Sequence, residues 1–305
     1  MGSTQQVLGF RQSATAGESQ RPPWQIRLQG SDTTWAIAFL VPYVAVFAAF
    51  VAYPVVFGLW MGSDPALYGL LFSDPRYLLI AANTLLFVAI GVNVQMFLAF
   101  LLSGFFMDRS WWVRSLLAVF LLPWALPGLV VFTSIHFMLV TQWGLLDSLW
   151  RAVTGSDGPL FLVHAWSAMA ANIVAYIWKW LPFWTLIFLA ARMSIPQDIY
   201  DAAEIDGASG HRRLLYVTFP LLANIYLICT LLSSVWTLGD FPTVYFVSSG
   251  APARLTDVLA TYGFHEAFDF GYPNLGVAAM MSALPLMIPL IILLMRRVRA
   301  TGVQL

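Results

Sequence analysis

Long apolar stretches alternate with short polar segments along this chain, and most of the charged residues lie in the polar segments. A hydrocarbon core about 30 Å thick needs about twenty helical residues, because each residue of a helix rises about 1.5 Å. Six stretches reach this length, near residues 35–60, 80–106, 115–140, 166–191, 221–246 and 274–295. The pattern predicts an all-α integral membrane protein with six transmembrane helices.

Several predicted spans contain proline, which removes an intrahelical hydrogen bond and leaves a carbonyl for a neighbouring helix to satisfy. The prolines concerned are Pro42, Pro54, Pro123, Pro127, Pro182, Pro285 and Pro289. They predict kinked helices, either because the protein changes shape around a pathway or because proline is common in membrane helices.

The arginines predict the orientation of the spans, since basic residues concentrate on the cytoplasmic side of a membrane. With a cytoplasmic N-terminus, eleven arginines fall on inner segments, and only Arg76, Arg151 and Arg254 fall on outer ones. Both termini are therefore predicted to be cytoplasmic.

The domain organisation follows from these spans. Residues 1–33 are polar and rich in Gly, Ser and Gln, a composition that predicts a flexible cytoplasmic tail. Residues 34–297 are predicted to form one transmembrane domain with a cytoplasmic loop at 192–220, and residues 298–305 a short cytoplasmic tail. No segment between spans has room for a soluble catalytic domain.

Composition excludes several classes of function. Hydrophobic residues make up 60% of the chain and charged residues 10%, whereas a soluble domain has roughly 25% charged residues. A net charge of zero argues against a nucleic-acid-binding protein. The only lysine, Lys179, lies inside a predicted span, so the chain has no phosphate-binding GxxxxGK[ST] loop, and its four histidines do not have metal-site spacing. We expect no metal, no cofactor and no enzymatic activity in this chain.

The inner segment 194–220 has an unusually regular pattern. Pro196 and Asp198 favour the first turn of a helix, where a carboxylate faces the positive end of the helix dipole. Asp198, Asp201 and Glu204 are three residues apart and fall broadly on one face. A small apolar face is predicted beside them, formed by Ile199, Ala202, Ala203 and Ile205.

A bend and a second short helix are predicted to follow. Gly207 permits a sharp bend at little steric cost. Arg212 and Arg213 then begin a second short helix, and Pro220 starts the next span. Two such helices are consistent with a packing element at the membrane interface or with a docking element for a partner, and the pattern alone does not decide between them.

Residues 201–208, DAAEIDGA, followed by Phe219-Pro220, resemble the EAA loop of permease subunits of binding-protein-dependent ABC importers. Asp201 departs from the family pattern, because glutamate is usual there. The resemblance implies that the loop docks the ATPase through Asp201, Ala202, Ala203, Glu204, Asp206, Gly207, Ala208 and Pro220.

Shorter stretches resemble the sugar-type subgroup, which includes the maltose and glycerol-phosphate permeases. Their order along the chain matches that subgroup at Asn83-Thr84-Leu85, Leu122-Pro123-Trp124, Ile177-Trp178-Lys179, Pro182-Phe183, Asp240-Phe241 and Ser249-Gly250-Ala251-Pro252.

The resemblance implies a type I ABC importer permease in the bacterial inner membrane. Its expected partners are a second permease subunit in a heterodimer, a dimer of ATPase subunits that hydrolyse ATP, and a periplasmic or extracellular solute-binding protein. The expected cargo is a sugar, sugar alcohol or sugar phosphate, moved across the membrane by alternating access, and membrane lipid is expected to surround the spans.

Polar and aromatic residues inside the predicted spans are candidates for the solute pathway. A charge in the hydrocarbon region is costly and usually faces the bundle interior, or it snorkels to the interface. Lys179 near the middle of the fourth span is the clearest candidate, as an interior ion-pair or pathway residue. The other candidates are Trp178, Asn172, Trp236 and Asp240.

Three alternatives to a sugar importer stay open. The first is an importer permease for another small solute. The second is a stand-alone secondary transporter, which would need inverted repeats and coupling-ion residues at mid-membrane. The third is a membrane enzyme or an anchoring scaffold.

Overall fold

The computed structural model describes residues 32–300, and this part of the chain contains helices, turns and no β-strand. The α-helices are α1 (Asp32–Phe47), α2 (Tyr53–Met61), α3 (Pro65–Ser73), α4 (Tyr77–Phe105), α5 (Trp111–Phe120), α6 (Leu122–Ala125), α7 (Gly128–Leu139), α8 (Leu145–Thr154), α9 (Ala165–Met193), α10 (Gln197–Ile205), α11 (Gly210–Arg213), α12 (Phe219–Leu238), α13 (Pro242–Val247), α14 (Leu259–Phe264), α15 (Pro273–Met281) and α16 (Leu284–Ala300). The π-helical segments are π1 (Ala48–Ala52), π2 (Leu214–Thr218) and π3 (His265–Asp269). The predicted tails, 1–33 and 298–305, lie mostly outside the described residues.

The chain divides into two units, Met1–Phe57 and Gly58–Leu305. The described part of the first unit consists of α1, π1 and the beginning of α2. None of its described side chains from residue 35 onward is buried, and most of them are apolar. Such a helix is suited to contact with lipid, which solvates apolar side chains without a protein core.

Within residues 32–300, four helical stretches are long and apolar enough to cross a membrane, namely Trp35–Met61, Tyr77–Phe105, Ala165–Met193 and Gly210–Leu238. A fifth is counted if the bent pair Trp111–Ala125 and Gly128–Leu139 is one span. These helices confirm the all-α membrane fold class. The six-span count and the cytoplasmic termini stay predictions.

The predicted third span is broken rather than gently kinked. Its two halves meet at an angle of 94° around Leu126 and Pro127. Leu126 has an extended backbone (ψ 148°), as expected for a residue before proline, and Pro127 has no N–H to continue the helix. The prolines therefore predicted a bend here, and the structure makes it a nearly right-angled break.

The fifth predicted span, 221–246, is shifted towards the N-terminus. The helix runs from Gly210 through α11, π2 and α12 and ends at Leu238. The prediction of a separate second short helix before Pro220 was therefore wrong. The segment is continuous because the i→i+5 bonding of π2 precedes Pro220, which cannot donate a backbone hydrogen bond.

The sixth predicted span, 274–295, consists of two helices, α15 and α16, separated at Ser282 and Ala283. These two helices are not among the four or five described stretches that are long and apolar enough to cross a membrane.

One of the buried hydrophobic clusters of the second unit lies between α4, α9 and α12. Its buried side chains come from all three helices: Val88, Val92, Met96, Ala99, Phe100, Trp184, Phe188, Leu222 and Cys229. Gly91 of α4 lies against Tyr176 of α9, and a Cβ at this position would make an ordinary van der Waals contact of 3.5 Å with the Tyr176 ring. This packing positions both ends of α9, and the segments that carry the candidate site are attached to α9.

Candidate coupling surface and membrane pathway

Helix α10 presents most of its surface to solvent. Only Tyr200 (7% exposed) and Ala203 (9% exposed) are buried, and their i,i+3 spacing places them on one face. Asp201 and Glu204 are exposed, and Asp201 Oδ1 accepts a hydrogen bond of 2.9 Å from Gln197 Nε2. The two carboxylates are therefore available to a partner.

The predicted apolar face of α10 is mostly uncovered. Of its four residues only Ala203 is buried, while Ile205 is 87% exposed and Ala202 is exposed. The face that packs against this chain is instead centred on Tyr200. Apolar side chains beside carboxylates, all uncovered by the described residues, form a surface suited to a protein partner.

The end of α10 is a tight turn that requires glycine. Gly207 has φ +78°, the left-handed region, and its N–H donates to Glu204 O at 3.0 Å. The N–H of Ala208 donates to Ala203 O at 2.8 Å. These two bonds form a Schellman motif, which satisfies the last carbonyls of the helix and directs the chain towards Gly210.

We expect Gly207→Ala to weaken this turn by about 1 kcal/mol, because alanine is strained at positive φ. Apart from its neighbours in sequence, no atom of the described residues lies within 4 Å of a Cβ built at Gly207, so the substitution causes no clash with them. Amide hydrogen exchange at Ala208 in the purified chain should become about fivefold faster. The matched control is Gly207→Asn, because asparagine tolerates this conformation better, and equal exchange in the two variants would contradict the explanation.

Lys179 is buried and bonded to the broken third span. Its side chain is 4% exposed. Its Nζ donates to the carbonyls of Pro123 at 2.7 Å, Trp124 at 3.0 Å and Leu126 at 2.6 Å. These carbonyls lie at the C-terminal end of α6, where the helix leaves acceptors unpaired and carries partial negative charge. Lys179 therefore caps the break.

Aromatic rings form a half-exposed row beside this contact. The centre of the Trp124 ring lies 5.8 Å from the centre of the Phe183 ring, which in turn lies 5.8 Å from the centre of the Trp236 ring. Trp236 also packs against Trp184 at 5.6 Å. The structure thus places Trp236 in the same neighbourhood as Lys179, with ring faces of the kind that line small-molecule sites.

The other three pathway candidates have different contacts. Asp240 accepts a bond of 3.0 Å from the N–H of Thr243 at the start of α13. Asn172 is fully buried and donates to Ser248 Oγ at 2.9 Å. Trp178 lines an apolar cavity of about 640 Å³ on another side of α9. Each of these three candidates thus has contacts different from those of Lys179.

A buried polar cluster after α13 was not predicted. Asp257 is fully buried, and its carboxylate accepts bonds from Arg254 Nε at 2.9 Å and Thr261 Oγ1 at 3.0 Å. His265 Nε2 lies 3.8 Å from the same carboxylate. In the sequence, Arg254 lies three residues before Asp257, and Thr261 lies four residues after it. These spacings bring side chains together on a helix, and no helix was predicted for this segment.

A second ion pair, between Asp74 and Arg76, adjoins this region. Burial acts to raise the pKa of Asp74, but hydrogen bonds from Arg76 and Tyr262 outweigh it and hold that pKa below its usual value. Burial raises the pKa of Glu266, against the attraction of nearby arginines. Residues 74–76 are thus tied to α14, since Tyr262 OH donates to Asp74 Oδ2 at 3.1 Å.

Comparison with known proteins gives the family. Residues 95–300 match the family model described as "Binding-protein-dependent transport system inner membrane component". The chain belongs to this family. The match covers α4 from Gln95 onward, the α10 surface and the remaining helices, so it includes the loop on which the resemblance was based.

Several proteins similar to this chain are named as transport system permease proteins. The chain is 29% identical over 291 residues to the sulfoquinovosyl glycerol transport system permease protein of Agrobacterium fabrum, covering 88% of this chain and 92% of that protein. It is 29% identical over 204 residues to the trehalose/maltose transport system permease protein of Thermococcus litoralis, covering 67% of each. A lactose transport system permease protein of Rhizobium radiobacter is 26% identical, covering 80% of this chain and 86% of that protein.

Solved structures of importers share the fold. A chain of a bacterial ABC transporter involved in the import of the acidic polysaccharide alginate superposes with a TM-score of 0.79 at 18% identity, covering 88% of this chain and 96% of that one. The likeness confirms the predicted fold class, an all-α membrane permease similar to those of type I ABC importers.

Proposed function

We propose that this chain is the permease subunit of an ATP-driven importer that moves a sugar, sugar alcohol or sugar phosphate across the bacterial inner membrane. The observation that carries the proposal is the uncovered α10 surface, with Asp201, Glu204 and Ile205 exposed, in a chain of the binding-protein-dependent family. The carbohydrate names of three relatives support the solute class.

The proposed partners are a second permease, two ATPase subunits and an external solute-binding protein. A separate ATPase is required because the chain has no phosphate-binding loop, and its only lysine, Lys179, is engaged with backbone carbonyls. In this proposal the ATPase binds the surface formed by Asp201, Ala202, Ala203, Glu204, Asp206, Gly207 and Ala208, with Pro220 at the base of α12.

Short connections would transmit movement of α10 to the membrane helices. Residues 194–196 separate α10 from α9. Gly207 lies between α10 and the continuous helix that includes α12, Gly210 is the first residue of that helix, and both glycines have positive φ. Arg192 at the end of α9 bonds to Ser103 of α4, so α9 and α4 would move together. ATP binding would then favour the outward-facing state, which accepts the solute, and hydrolysis and release would restore the inward-facing state, which is alternating access.

The test is reconstitution of the full chain with its three kinds of partner in proteoliposomes. A carbohydrate panel screened by thermal shift on the binding protein identifies the solute, and uptake of that solute is then measured. We expect uptake only when ATP, the ATPase and the binding protein are all present. Uptake by the chain alone, driven by an ion gradient, would overturn the proposal in favour of a secondary transporter. A binding protein that is stabilised only by non-carbohydrates would refute the solute class alone.

A further inference from the structure

Two cavities share a wall beneath α10. The first has a volume of about 400 Å³ and lies between α10, the C-terminal end of α4 and the start of the α11–α12 helix. The second, of about 590 Å³, lies between α10, the end of α9 and the segment that joins α4 to α5. Both are lined by Met107, Arg192, Gln197 and Tyr200.

The lining is strongly basic. Arg192 and Arg213 line the first cavity, and Arg109, Arg114 and Arg192 line the second. None of these four forms an ion pair with a carboxylate among residues 32–300. The one acidic lining residue, Asp108, accepts a bond of 2.9 Å from the N–H of Ser110. The cavities therefore carry a net positive charge, because their four arginines outnumber the single carboxylate of Asp108 and none of them is paired with it.

Arg192 is held rigidly in this wall. It is 5% exposed, its Nε donates to Ser103 Oγ at 2.7 Å, and its Nη2 donates to Phe100 O at 2.8 Å. The guanidinium carbon lies 4.4 Å from the centre of the Phe100 ring. Glycine at 104 leaves room beside Nη1, because a Cβ there would lie 3.3 Å from that nitrogen. A guanidinium fixed in this way loses little entropy on binding an anion.

Tyr200 supplies a second buried polar group. Its hydroxyl is buried and has no hydrogen-bond partner among the described residues. Its ring lies 5.6 Å from the guanidinium of Arg213. Buried hydroxyl groups without partners are rare, and one in the wall of a basic cavity is suited to donate to a bound oxyanion.

We propose that these cavities bind a phosphate-bearing anion, held by the guanidinium groups of Arg192 and Arg213 and by the hydroxyl of Tyr200. Phosphate oxygens match the forked donors of arginine, and basic pockets between membrane helices bind lipid headgroups. The apolar residues Leu101, Phe106 and Leu214 next to the arginines suit the acyl part of a phospholipid, whereas free phosphate would use the polar wall alone. The site does not depend on the transported solute or on the direction of transport.

The test uses the full chain, purified with its partner subunits in a maltoside detergent, which contains no phosphate. One arm titrates phosphatidylglycerol against diacylglycerol, which lacks the phosphate group, and measures bound lipid by native mass spectrometry. The other arm titrates radiolabelled inorganic phosphate by equilibrium dialysis. Saturable binding of phosphatidylglycerol but not diacylglycerol identifies a lipid headgroup site, and saturable binding of inorganic phosphate identifies a soluble ligand. Either result supports the proposal.

Three variants locate the binding. Arg213→Gln should raise the Kd about tenfold or more, and Tyr200→Phe about threefold to tenfold, because each removes donors to the anion. Arg212→Gln is the matched control, since Arg212 is exposed and lines neither cavity, and its Kd should stay within about twofold. The proposal fails if neither probe binds saturably, which is the result expected if an acidic side chain of a partner fills the cavities. It also fails if Arg212→Gln and Arg213→Gln weaken binding equally, because the charge would then act diffusely.

Discussion

Replacing Glu204 with lysine is expected to reduce ATP-driven uptake about a hundredfold or more while leaving the permease folded. Glu204 is exposed near the C-terminal end of α10, and its carboxylate has no hydrogen bond or ion pair among the described residues. A substitution at such a position usually changes stability by no more than about 0.5 kcal/mol. A lysine there also suits the negative end of the helix dipole. If the surface docks an ATPase, reversing the charge weakens the free energy of docking by several kcal/mol, which corresponds to roughly the expected hundredfold loss of uptake.

The measurements are uptake, ATP hydrolysis and Tm of the reconstituted complex. Glu204→Gln is the matched control, because it keeps the length of the side chain and removes only the charge, and its uptake should fall between that of wild type and Glu204→Lys. Both variants should have the Tm of the wild-type chain when the permease is measured without the ATPase. Unchanged uptake in Glu204→Lys would refute a docking role for this face of α10.

Replacing Lys179 with methionine is expected to destabilise the permease by about 3 kcal/mol or more, since charge-assisted hydrogen bonds contribute about 1.5–3 kcal/mol each and are not additive. The variant leaves three carbonyls, those of Pro123, Trp124 and Leu126, without their donor inside the protein. The Tm should fall by about 5–10 °C. Methionine has nearly the same length as lysine, so packing is largely retained and the effect reports the lost donors.

Lys179→Arg separates charge from geometry. Arginine keeps the positive charge, but its planar donors do not match three carbonyls grouped around one nitrogen, so an intermediate Tm is expected. A Lys179→Met variant with the Tm of wild type would contradict the capping role. If that variant keeps its Tm and instead changes the apparent KM for the solute, Lys179 contacts the solute, as the pathway hypothesis holds.

Some features of the site were predictable because they depend on neighbours in the sequence. The short helix α10 follows from Pro196, Asp198 and the spacing of its carboxylates, and the left-handed turn follows from Gly207. The acidic face of α10 is exposed as its pattern indicated. The pattern does not reveal which large side chain of α10 is buried within this chain, and that side chain is Tyr200, which lies among residues of α4, α9 and α11, whereas Ile205 is exposed.

The long apolar helices were determined by the sequence itself, since length and hydrophobicity are local properties that a bilayer requires. The same holds for the position of the break at Pro127, because proline removes a donor wherever it occurs. Only the tertiary structure decided what completes the break, since Lys179 lies 53 residues from Leu126 and reaches it through the packing of α9. It also decided that Arg192 and Tyr200 share the wall of a basic cavity, because contacts between distant segments depend on how helices pack and leave no period in the sequence.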